Sequence, residues 1–114
     1  MTPKSPITTH ILDLGSGRPA SGVEVTLYRV RDQVPGAIAT ATTDDDGRVM
    51  NWFDDPVEQG HYRLVFATGA WYQARGLETF FPEVSLDFTV ADPSAHYHVP
   101  LLLNQWGFST YRGS

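Results

Sequence analysis

An all-β sandwich is the fold class that this sequence predicts, and three observations predict it. Short runs rich in Val, Ile, Leu, Thr and aromatic residues alternate with period two along most of the chain. Clusters of Gly, Pro, Asp and Ser punctuate them at short intervals, as in a sandwich of antiparallel strands. Only the window around Trp71 has helical spacing. The length of 114 residues suits a single domain over 1–114, since two cores would each be too small to stand alone. Cysteine is absent, so the 41% apolar share must supply the stability.

The first predicted strand is Ile7 to Asp13, ended by Gly15-Ser16-Gly17-Arg18-Pro19, which supplies positive φ and removes a backbone donor. Val23 to Arg29 follows, with Val23, Val25 and Leu27 on the buried face. Ala37 to Thr43 is a weaker third strand. Asp44-Asp45-Asp46-Gly47 is a strong turn signal, and Arg48 to Phe53 leaves it as the fourth strand, holding Arg48 at a defined place. His61 to Ala67 is the fifth, with Tyr62, Leu64 and Phe66 on one face.

The helix comes next, within Thr68 to Gly76. Thr68 is expected to cap it, Trp71 and Ala74 to face the core, and Gly76 to give a left-handed stop. Val84 to Val90 alternates cleanly, and His96 to Leu103 and Phe108 to Tyr111 complete eight strands.

Eight basic against thirteen acidic residues, a net charge of −5, disfavour nucleic-acid and anionic-membrane partners. Met1 to Pro6 has no apolar core of a leader and no run is long enough to span a bilayer, so the expectation is a soluble, cytoplasmic protein.

Four histidines and one arginine are the candidates for chemistry. His10 shares a face with Thr8 and Leu12, and His98 shares one with His96, Pro100 and Leu102. A lone histidine on a strand is more often structural or exposed. His96-Tyr97-His98 puts two imidazoles on one face, which zinc can use when a third ligand is supplied, but HxH alone is weak evidence and no HExxH is present. His61 is expected at the surface. Arg48 reads by itself as a solvated strand-end charge, and Tyr111-Arg112-Gly113-Ser114 as a frayed tail. No GxSxG, P-loop, dinucleotide or EF-hand motif occurs.

Over essentially its whole length the chain resembles the 5-hydroxyisourate hydrolase family, the enzymatic relatives of the hormone carrier transthyretin. The matching pieces are Thr9-His10-Ile11-Leu12-Asp13, Gly17-Arg18-Pro19-Ala20, Thr42 to Arg48, Gly60 to Leu64, Phe80 to Val84, His96 to Leu103 and Ser109 to Ser114. The Tyr-Arg-Gly-Ser ending is the most specific of them, because the hydrolases carry it and the carriers do not. Asn104-Gln105-Trp106 and the more acidic Asp44-Asp45 depart from the common pattern, both in turns.

The resemblance implies a transthyretin-like sandwich of two four-stranded sheets with one short helix after the fifth strand. It also implies a homotetramer whose central channel is lined by His10 and His98. It further implies hydrolysis of 5-hydroxyisourate to 2-oxo-4-hydroxy-4-carboxy-5-ureidoimidazoline, in urate degradation, with no cofactor and no metal. His10, Arg48 and His98 map to the catalytic positions, and Tyr111, Arg112 and Ser114 to substrate binding, with Arg112 also able to pair with an acidic group or anchor the tail. Which histidine is the base stays open. A transthyretin-like carrier without catalysis, a zinc hydrolase built on His10, His96 and His98, and a structural or adhesion-type sandwich are the competing readings.

Overall fold

The computed structural model describes residues 4–114, so the first three residues of the Met1 to Pro6 segment lie outside it. Two sheets face each other across one apolar core. The first contains β1 (Ile7–Asp13), β2 (Arg18–Pro19), β5 (Arg48–Val49), β8 (Tyr97–Leu103) and β9 (Phe108–Thr110), with β2 and β5 both on one side of β1 and β8 on the other. The second runs in the order β4 (Val34–Thr42), β3 (Glu24–Arg31), β6 (Gly60–Phe66), β7 (Val84–Val90). The helix α1 (Thr68–Ala74) follows β6. Among the described residues no helix is long and apolar enough to cross a membrane.

The period-two runs form the core as their patterns require. Val23, Val25 and Leu27, then Tyr62, Leu64 and Phe66, then Val84, Leu86 and Val90 are buried from one sheet. Ile7, Ile11, Tyr97, Val99, Leu101 and Leu103 meet them from the other. Alternation fixes register here, since a one-residue slip would turn each strand's apolar set to water.

Several local expectations are corrected. Arg18–Pro19 pairs with Leu12–Asp13 as a short strand, so among the described residues the helix follows the sixth of nine strands and one sheet has five members. The pairing of β1 with β8 is parallel, unlike every other pair in the two sheets. The third predicted strand starts earlier, at Val34, because Asp32 and Gln33 both adopt positive φ (51° and 65°) and close a two-residue hairpin. The fourth ends after Val49, since Ser5 captures the following chain. Its hydroxyl accepts from the amides of Trp52 (2.9 Å) and Phe53 (3.2 Å) and donates to the Phe53 carbonyl (2.9 Å).

Thr68 does not cap α1. Ala67 holds that position without a side-chain hydrogen bond, and the buried Thr68 hydroxyl has no partner among the described residues. Trp71 faces the core as expected, but its companion is Tyr72, not the exposed Ala74. Gly76 does adopt the left-handed conformation, at φ 69°, just beyond the helix.

Candidate active site

β1 is the axis of the site. Its inward side chains, Ile7, Thr9 and Ile11, are buried, and Thr9 Oγ1 donates to the Val99 carbonyl at 2.6 Å. Thr8, His10 and Leu12 therefore point outward. The parallel register sets Thr8 beside His98 and His10 beside Pro100, while the antiparallel partner on the other edge sets His10 beside Arg48. Three residues separated by up to 88 positions are thus brought to one outer face of one sheet.

The acidic turn holds Arg48 in place. Asp44 Oδ1 accepts from the amides of Asp46 and Arg48, each at 2.9 Å, and Asp44 and Arg48 exchange a further backbone bond at 3.0 Å. Gly47 closes the turn at φ 73°, where a Cβ would lie 2.5 Å from the Ile11 carbonyl oxygen. A glycine is needed on both counts. The Ile11 amide then donates to the Gly47 carbonyl at 2.8 Å, tying the turn to β1 one residue beyond His10.

Both imidazoles are half-buried, and both resist protonation. Burial is the main cause for His98, followed by Arg48 and then by His10, His96 and Lys4, so its pKa falls below the usual value of 6.5. For His10 burial and Arg48 act downward, while the Asp46 backbone carbonyl and the carboxylates of Asp44 and Asp46 act upward, leaving a net depression from 6.5. Arg48 and Lys4 bring positive charge to these rings, set against the Asp44 and Asp46 carboxylates beside His10.

Thr8 was not singled out from the sequence. It is fully buried, and its hydroxyl lies 2.8 Å from His98 Nδ1 and 2.9 Å from His96 Nε2. The signal was present in the shared outward face of Thr8 and His10, but the register that sets Thr8 against His98 is a tertiary fact. Among the described residues, no group of three or more His, Asp or Glu is gathered closely enough to hold a metal ion. His61 is exposed and bonded at 2.6 Å to Asp87, which also accepts from Arg63 at 2.8 Å, on the other sheet.

The tail is ordered against β8. Gly113 donates to the His98 carbonyl at 2.8 Å in an isolated bridge, and its Cα is so close that a Cβ would lie 2.7 Å from His98 Cδ2. The Arg112 guanidinium sits 4.4 Å from the Tyr97 ring centre and 3.5 Å from the His96 carbonyl, and it acts on Asp92. Tyr111 and Arg112 line a cleft with Leu86, Phe88 and Val99 between the sheet edges. Tyr111 is 57% exposed, and Ser114 is also exposed. Within one chain, then, His10, Arg48 and His98 share a face, with Gly113 beside them, while Tyr111 and Arg112 turn toward the cleft.

Two imidazoles of lowered pKa and one arginine thus share the outer face of a transthyretin-like β-sandwich. Residues 7–113 match the HIUase/Transthyretin family, and the chain belongs to that family. A 5-hydroxyisourate hydrolase of Salmonella dublin is 45% identical over 109 residues, covering 95% of this chain and 80% of that protein. The solved 5-hydroxyisourate hydrolase of Klebsiella pneumoniae is 38% identical with a TM-score of 0.84, covering 95% of this chain and 98% of its own. Sea bream transthyretin, solved in complex with thyroxine, superposes with a TM-score of 0.88 at 29% identity, covering 96% of this chain and 95% of its own. Backbone shape is shared by hydrolase and carrier alike, so side chains must decide between them.

Proposed function

We propose that this single-domain protein hydrolyses 5-hydroxyisourate, working in the cytoplasm as a homotetramer without a cofactor. The observation that carries the proposal is the convergence of His10, Arg48 and His98 on one outer sheet face. Polar residues there become pocket residues when another subunit closes over them. Water between His10 and His98 loses a proton to an imidazole as it adds to the ring amide carbonyl. The C–N bond then breaks, the nitrogen takes up a proton, and the new acid ionises. Arg48 offers donors to the oxyanion as it develops. Tyr111 and Ser114 are left to contact substrate across the subunit boundary, and Arg112 to hold the tail.

The ultraviolet decay of freshly generated 5-hydroxyisourate tests the reading. Acceleration well above spontaneous breakdown is expected. Decay at the background rate, with saturable binding of an apolar aromatic ligand, would favour the carrier instead.

Two further outcomes follow from the site. Because burial and Arg48 depress both histidines below 6.5, each is neutral at pH 7 and ready to accept a proton. The acid limb of kcat/KM should therefore fall below about pH 6.5, with a plateau above it. The same depression means that the unfolded chain binds these protons more readily, so stability is full above about pH 6.5 and declines as the pH drops. A pH series of kinetics and melting curves checks both. Gly113→Ala should push the His98 ring and lower turnover by about a hundredfold, the cost of misplacement near 1 Å. Its melting temperature should stay close to wild type, since the tail is outside the core. Wild-type turnover in this variant would show that the tail does not set the ring position.

A further inference from the structure

Thr8 lies on the outward face of β1 with His10, yet none of it is exposed, and two imidazoles stand at its hydroxyl. A threonine hydroxyl brings one proton and two acceptor lone pairs. Facing two ring nitrogens, it donates to one and accepts from the other. For two neutral rings, one facing nitrogen carries hydrogen and the other is bare. His98 Nδ1 is thereby committed to Thr8, and Nε2 is the ring nitrogen left for other partners.

We propose that Thr8 is a positioning residue that orients the His98 ring and couples its tautomer to the exposed imidazole of His96. The inference rests on the site proposed above, in which His98 faces substrate. When His96 gains a proton, its Nε2–H donates to Thr8. The hydroxyl must then point at His98 Nδ1, and neutral His98 carries its hydrogen on Nε2, where it can donate but not accept. When His96 is neutral, the chain can also run the other way, and His98 Nε2 presents a lone pair.

Protonating both rings would aim two N–H donors at one oxygen and strand the hydroxyl proton in a buried position, so the second proton is opposed. The charged groups around the pair reinforce this. Lys4 ahead of β1 acts on both rings, while His10 on β1 and Arg48 on β5 act on His98. Arg112 of the tail reaches the His96 carbonyl.

Thr8→Val, Thr8→Ser and His96→Ala test the inference, read by the imidazole nitrogen shifts of His98 across pH and by kinetics with 5-hydroxyisourate. Thr8→Val should abolish the tautomer bias of His98 and lower kcat about tenfold, the scale of one lost hydrogen bond, with KM changing much less. Thr8→Ser should restore both. His96→Ala leaves the hydroxyl to donate to His98 alone and should hold the Nε2–H form over the range in which wild type exchanges.

Unchanged His98 shifts in Thr8→Val and His96→Ala would overturn the proposal. If Thr8→Val fails to fold, His96→Ala, at an exposed position, decides by itself. A wild-type protein that leaves 5-hydroxyisourate decaying at its spontaneous rate would sink the hydrolase reading, and the nitrogen shifts would then judge Thr8 independently.

Discussion

His98→Ala is expected to slow 5-hydroxyisourate hydrolysis by about a hundredfold to ten-thousandfold, the range for losing a positioned acid–base group. Three features set this expectation. The ring is held on both sides, by Thr8 at Nδ1 and by the Gly113 backbone against Cδ2, so its free nitrogen has a defined direction. Its pKa is depressed chiefly by burial and then by Arg48, so the basic form dominates at neutral pH. It also stands on the outer face that carries His10.

The loss should appear in kcat, because a proton is moved only as the reaction proceeds, whereas KM should change far less. Folding is expected to survive, since Pro100, Leu101 and Val99 fix β8 from residues other than His98. Decay is measured by ultraviolet absorbance against the spontaneous rate. Activity within a fewfold of wild type would remove His98 from the chemistry and leave His10 as the sole base.

The sandwich was legible because its signal is local. Val23, Val25 and Leu27, or Val84, Leu86 and Val90, declare an inward face by alternation alone, whatever they finally pack against. The Asp44 to Gly47 turn was legible for the same reason: one carboxylate and one glycine close it within a few residues. Pairing partners are not local. Nothing near Ile7 states that β1 lies parallel to a strand some ninety residues later. The roles of Thr8 and Gly113 depend on that pairing or on its edge, so both escaped a reading of composition and period. The Asp32–Gln33 hairpin was missed because neither residue is the glycine that positive φ usually calls for. Thr68 has the right type for a cap but sits one position inside the helix. His10, Arg48 and His98 were named through resemblance, and the fold brings them to one face; spacing alone could not have joined them.

Arg48→Gln is expected to lower kcat by about a hundredfold to a thousandfold, comparable to removing a donor aimed at a developing oxyanion. Glutamine keeps a polar, uncharged amide donor but is shorter and loses the charge and the fork. Arg48→Lys should recover only part of the rate, since an ammonium keeps charge without paired donors. The turn should persist in each variant, because the Asp44 contacts are made to the Arg48 backbone. Fold loss is therefore not expected to mimic a kinetic effect.

A second signature separates a role in the site from a general disturbance. Arg48 is the second cause of the low pKa of both His10 and His98, after burial. Without its charge both rings should accept protons more readily, and the acid limb of kcat/KM should move upward toward pH 6.5 in Arg48→Gln while staying near its wild-type position in Arg48→Lys. A rate loss with that displacement places the guanidinium beside both the oxyanion and the histidines. A rate loss with an unmoved limb would leave Arg48 as a substrate contact only, and an unchanged rate would take it out of the mechanism.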